Sequence, residues 1–103
     1  MEDPMLNSVQ RSFLGALASK EPVLIQLGKA GASEALVVQL KALLDRHELV
    51  KLKFMDFKGE KREISNDLAL GTESELVRII GNTAIFYKPQ NDPEKRRILL
   101  PAD

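Results

Sequence analysis

The stretch Val23-Leu24-Ile25-Gln26-Leu27-Gly28-Lys29-Ala30-Gly31-Ala32-Ser33-Glu34 decides the fold. Val23–Leu27 is apolar apart from Gln26, β-branched at Val23 and Ile25, and bounded by Pro22 and Gly28, which predicts a short buried strand. Gly28-Lys29-Ala30-Gly31 ends it. Ser33 is then a good helix N-cap, and Glu34 suits the positive end of a helix. The helix runs to His47, with Leu36, Leu40, Leu43 and Leu44 as its apolar stripe. A strand that passes through a glycine turn into a helix is the opening of an α/β domain.

Working outward, Val9, Phe13, Ala16 and Leu17 recur at helical spacing, so a helix is predicted over Asn7–Ser19, capped by Asn7 or Ser8 and stopped by Pro22. Downstream, Leu49–Phe54 alternates, with Val50, Leu52 and Phe54 on one face and Lys51 and Lys53 on the other, as a half-exposed strand does. Phe57–Glu60 reads as a turn. Ile64, Leu68 and Ala69 predict a short third helix with Gly71 as its stop signal. Glu75–Ile80 and Thr83–Lys88 are strands joined by a Gly81-Asn82 hairpin, and Pro89 closes the second. Gln90–Arg97 is a polar loop, and Ile98-Leu99-Leu100 is expected to dock back as a short edge segment. The order α-β-α-β-α-β-β predicts a compact α/β domain with a mixed four-stranded sheet and about three helices. Residues 1–103 form one domain, with a core over about 6–89 and a tail over 90–103.

With 103 residues, 44% of them hydrophobic and 29% charged, the chain can build one core. There is no cysteine, and so neither a disulfide nor a thiolate metal site. Met1–Met5 lacks the basic start and apolar run of a leader, and no apolar stretch approaches the roughly 20 residues that span a bilayer. A soluble, cytoplasmic protein is expected, with no membrane partner and a monomeric state.

Fifteen Lys and Arg balance fifteen Asp and Glu, yet the charge is segregated. Residues 20–62 carry a net +3, residues 63–75 a net −4 and residues 76–103 a net +2. A basic face can exist on such a neutral chain.

Catalytic patterns are missing. His47 is the single histidine, so neither a Cys-His pair nor a multi-histidine metal site can form. No Gly-x-Ser-x-Gly turn is present, and the loop at Gly28 lacks both the Lys-Ser/Thr ending of a P-loop and the third glycine of a dinucleotide loop. No catalytic residue, cofactor or metal is assigned. The GxxG loop Gly28, Lys29, Ala30, Gly31 is the sharpest feature. Its glycines let the backbone approach a ligand, the helix behind it points free N–H groups forward, and Lys29 adds a mobile charge. RNA-binding domains of the KH type clamp backbone with such a loop; a plain strand-to-helix turn explains the same residues. Lys51, Lys53 and Arg78 could line an open sheet face and contact phosphates, or could be a solvated face. Tyr87 could stack on a base, while Phe86 suits the core.

Leu27–Gly31, Arg46–Lys53 (RHELVKLK) and Gly81–Pro89 (GNTAIFYKP), with Val9–Leu14 leading to Leu17-Ala18, together resemble the CRM domain in its single-domain bacterial, YhbY-like form. The resemblance covers about residues 6–100. It implies a fold like the C-terminal domain of a bacterial translation initiation factor. It also implies RNA binding that involves the GxxG loop, and association with precursors of the large ribosomal subunit. Carried over residue by residue, it assigns Gly28, Lys29, Ala30 and Gly31, then Lys51 and Lys53, then Tyr87 and Lys88. Gly15 and Asn82 stand where basic residues are expected.

The leading expectation is a non-catalytic protein that binds precursor large-subunit ribosomal RNA within a pre-ribosomal particle. The alternative is a protein-interaction adaptor on the same fold without RNA binding. An uncharacterised hydrolase is disfavoured by the missing catalytic set.

Overall fold

In a computed structural model, which describes residues 6–102, α1 spans Ser8–Ala18. Met1–Met5, where a leader would begin, and Asp103 lie outside the described residues. Asn7 starts α1 with a capping box: its side chain accepts from the Gln10 N–H (2.7 Å) while the Gln10 side chain accepts from the Asn7 N–H (3.1 Å). The fully buried face of α1 is Leu14, Gly15 and Ala18; of the predicted stripe, Phe13 and Leu17 are half-buried and pack on the same core, whereas Val9 and Ala16 are exposed. The apolar face is therefore turned toward Leu14 and Ala18, with Phe13 and Leu17 at its flank.

β1 (Val23–Leu27), α2 (Glu34–His47) and β2 (Leu49–Phe54) follow with the predicted bounds. The Ser33 hydroxyl caps α2 by accepting from the Leu36 N–H at 3.2 Å. A 3-10 turn over Lys58–Glu60 leads into α3 (Lys61–Thr72), then β3 (Glu75–Ile80) and β4 (Thr83–Tyr87). Gly71 lies inside α3 and does not stop it. The helix is closed by Glu73, which takes the left-handed conformation (φ 57°), while the Thr72 hydroxyl donates back to the Leu68 carbonyl.

The sheet order is β1-β2-β4-β3, with β1 and β2 parallel and the other pairs antiparallel. The mixed four-stranded sheet with three helices is therefore as expected. One face carries α2 and α3: Leu36, Leu40, Leu44 and Leu68 pack on Ile25, Leu27, Val50, Leu52, Phe54, Ala84 and Phe86. On the opposite face α1 covers Leu49, Val77, Ile85 and Tyr87, joined by Ile98 and Leu100 from the C-terminal segment.

That segment docks without becoming a strand. Glu48 is fully buried, and its carboxylate accepts from the N–H groups of Gln90 (2.8 Å), Arg97 (2.8 Å) and Ile98 (3.1 Å). The donors that an edge strand would use at Arg97 and Ile98 are already spent on a carboxylate, a stronger acceptor than a carbonyl.

Candidate nucleic-acid interface

The GxxG loop leaves β1 at the end of the sheet where β2 also finishes, since Leu27 pairs with Phe54. The Gly31 N–H donates to the Gly28 carbonyl at 3.0 Å, closing a tight turn, and Gly31 has φ +68°, which side chains other than glycine adopt only at a cost. Gly28, Lys29 and Ala30 are exposed, and a Cβ at Gly28 would stand in open space. Turn geometry therefore accounts for Gly31 but not for Gly28.

Lys51, Lys53 and Arg78 lie on the sheet face that α1 covers only in part. Residues paired across strands form two rows there. Val23, Lys51, Ile85 and Arg78 make the first, and Gln26, Lys53, Thr83 and Ile80 the second, nearer the loop. A β-bulge puts Arg78 in its row. Leu76 pairs with Phe86 but Arg78 pairs with Ile85, so Val77 is the extra residue. Without the bulge Arg78 would oppose Ala84 and face α2 and α3. Arg11 of α1 holds the bulge, with Nη1 donating to the carbonyls of Leu76 (2.7 Å) and Val77 (2.6 Å).

Gly15 gives the Arg78 guanidinium its place: a Cβ there would lie 3.3 Å from Nη1. Lys61 similarly donates to the Gly81 carbonyl (2.6 Å) and to Asn82 Oδ1 (3.2 Å) at the hairpin. Positive charge thus stands beside both Gly15 and Asn82, delivered from other strands and helices. Lys51 Nζ donates to the Glu21 carbonyl at 3.1 Å, whereas Lys53 is exposed.

Lys88 is not brought to this face. Its ammonium donates to the Thr72 carbonyl (3.3 Å) and lies 4.0 Å from Asp45 Oδ1, joining the ends of α3 and α2. Tyr87, a candidate for stacking by sequence, is buried under α1 instead. Burial, and secondarily the charge of Glu48, hold its phenol above the ordinary range, with Arg96 opposing.

Phe57 escapes a sequence reading because a turn assignment says nothing about φ or contacts. It has φ +55° and is 39% exposed, and the Cδ2–Cε2–Cζ edge of its ring lies against Gly31, 3.4 Å from a notional Cβ. The Asp56 carboxylate accepts from the Phe57 N–H at 2.8 Å, and Met55 and Asp56 donate to the Leu27 carbonyl (2.9 and 3.3 Å). Those bonds fix the segment to the root of the GxxG loop. Among the described residues, no helix is long and apolar enough to cross a membrane, and no group of three or more His, Asp or Glu could hold a metal ion.

The chain as a whole is similar to known proteins. Over 98 residues the chain is 32% identical to the probable RNA-binding protein YqeI of Bacillus subtilis, covering 94% of this chain and all of that one. An RNA-binding protein of Haemophilus influenzae is 30% identical over 93% of the chain and 95% of its own length. The solution structure of SAV1595 from Staphylococcus aureus, a candidate RNA-binding protein, superposes with a TM-score of 0.78 at 32% identity, covering 94% of this chain and 100% of that one. The CRS1 / YhbY (CRM) domain matches residues 6–88, and with the glycine loop, helices and mixed sheet all falling inside that span, the chain belongs to the CRS1 / YhbY (CRM) domain family.

Proposed function

We propose that this protein is a non-catalytic RNA-binding module that contacts phosphates through the GxxG loop and the adjoining basic sheet face, and that it acts on precursor large-subunit ribosomal RNA in a pre-ribosomal particle. The observation that carries the first part is a convergence. Lys51, Lys53 and Arg78 share one face of the sheet, and Lys53 lies in the row nearer the end where the exposed Gly28-Lys29-Ala30 tip leaves β1, although the chain as a whole is neutral. Phosphate contacts draw affinity from such local charge and from N–H groups at a helix start. Relatives named as RNA-binding proteins support the same reading.

The second part rests on the weakness of long-range attraction. A neutral protein gains little from bulk RNA, so a shaped ribonucleoprotein is the target it could select. Binding to ribosomal RNA fragments across a salt series tests the first part; affinity that is absent or indifferent to salt refutes it. Gradient sedimentation of lysate tests the second: the protein should migrate with large-subunit precursors and be released as salt rises. The adaptor alternative draws support from a groove of about 350 Å³ beside α1, lined by the apolar Phe13, Leu17, Leu24, Leu49, Ile98 and Leu99 together with Glu21, His47 and Arg97. It requires that RNA affinity be absent.

A further inference from the structure

Phe57 is a large aromatic side chain that neither core cluster takes up. A left-handed turn position is filled cheaply by glycine or asparagine, and least cheaply by a bulky aromatic. Here an aromatic holds it at φ +55° and remains 39% exposed. Of the four phenylalanines in the chain, Phe54 and Phe86 are fully buried and Phe13 packs on the α1-side core. Phe57 alone joins neither core cluster.

Its placement is also defined. One ring edge is seated on Gly31, where the missing side chain makes the room, and the Asp56 carboxylate holds the backbone behind it. An exposed, seated ring directly beside a loop suited to phosphate is the geometry of a base-stacking platform: the loop takes the backbone and the ring takes the adjoining base.

We infer that Phe57 stacks a nucleobase of an unpaired nucleotide whose phosphate is held by the GxxG loop, so that this end of the molecule prefers single-stranded RNA over a duplex. This rests on the RNA-binding reading above and narrows its ligand. A duplex keeps its bases stacked inside and offers phosphates alone. Stacking is tolerant of base identity, so the preference is for unpaired RNA and not for a sequence.

The test compares two probes, a short unstructured single-stranded RNA and the blunt duplex of the same strand. Phe57→Ala should weaken single-strand binding about 5- to 150-fold, the worth of one aromatic stack, with an unchanged salt slope because every phosphate keeps its partner. Duplex binding should not change; a variant that damaged the loop would weaken both. The chain contains no tryptophan, so Phe57→Trp introduces a single indole. It should restore single-strand affinity, and its fluorescence should be quenched by the single strand and not by the duplex.

Equal single-strand affinity in Phe57→Ala and the parent, parallel losses on both probes, or an indole indifferent to single-stranded RNA would each overturn the stacking role. If the parent protein binds neither probe, RNA binding itself fails, which is a distinguishable result.

Discussion

β2 begins just after one residue with positive φ and ends just before another, and the two are used in opposite ways. At its start Glu48 (φ +64°) is fully buried, and its carboxylate gathers three backbone N–H groups of the C-terminal segment. At its far end Phe57 (φ +55°) makes only short-range backbone bonds, its N–H donating to the Asp56 carboxylate and its carbonyl accepting from the Glu60 N–H, and its ring is 39% exposed. A left-handed side-chain residue costs roughly 1–2 kcal/mol. The bonds that Glu48 makes offset that cost within the fold. At Phe57 no comparable gain is made internally, which is the pattern of strain retained at a ligand site. The closed end of the sheet holds the molecule together; the open end is where it meets something else.

The largest expected effect lies at the closed end. Glu48→Ala leaves three N–H groups without their acceptor and should lower stability by about 3 kcal/mol, read as a shift in the urea midpoint. Proteolysis should then cut first within residues 90–98. A loss below about 1 kcal/mol would show that water replaces the carboxylate without penalty, and the contrast between the ends would dissolve.

The next effect belongs to the open side. Lys51→Ala with Lys53→Ala should reduce the salt slope of RNA binding by roughly 0.7 to 0.9 for each phosphate that no longer has a lysine beside it. Lys51 is already held by the Glu21 carbonyl, so Lys53 should contribute the larger share. Lys88→Ala should leave the slope unchanged and cost stability instead, because Lys88 serves the Thr72 carbonyl and Asp45. A slope that falls with Lys88 and not with Lys53 would reverse this assignment.

A smaller effect of opposite sign is expected at Phe57. Phe57→Gly removes the left-handed strain and should raise stability by up to about 1 kcal/mol, seen in the urea midpoint, while weakening single-strand RNA binding. Glu48→Gly enjoys the same backbone relief and should still be strongly destabilised. If both glycine variants move stability in the same direction, the two positions do not differ in how the fold offsets their backbone cost.

The smallest effect is a titration. Tyr87 is the sole tyrosine, so its ionisation can be followed by ultraviolet absorbance. It should titrate above 10.0, and Glu48→Gln should bring it partway down by removing the second cause of the shift. The raised value favours the neutral phenol in the folded state. Its contribution to stability is therefore complete below pH 10.0 and is lost as the pH rises beyond that value.

How much of this is legible in the chain follows from the range of each interaction. The bounds of β1, α2, β2 and β3 are readable because apolar period, caps and glycine punctuation act within a few residues. Capping by Asn7 and Ser33, and the GxxG turn itself, are equally local. The end of α3 defeats local reading because glycine is the usual left-handed terminator and here Glu73 takes that conformation, with Gly71 kept in the helix. Tyr87 is ambiguous by pattern because alternation sorts residues onto two faces without saying that α1 covers one of them.

By itself, then, the sequence determined the elements, their order, the glycine loop and the alternation that separates Lys51 and Lys53 from Val50 and Leu52. All of these arise from backbone sterics and short-range periodicity. Tertiary structure alone decided the strand order, the bulge that turns Arg78 toward Lys51, the seat of Arg78 on Gly15 and of Phe57 on Gly31, and the carboxylate of Glu48 that binds the tail. Each of these joins residues far apart in the chain or depends on which neighbour arrives first at a donor. No local pattern encodes that competition, because it is settled only when the whole sheet is assembled.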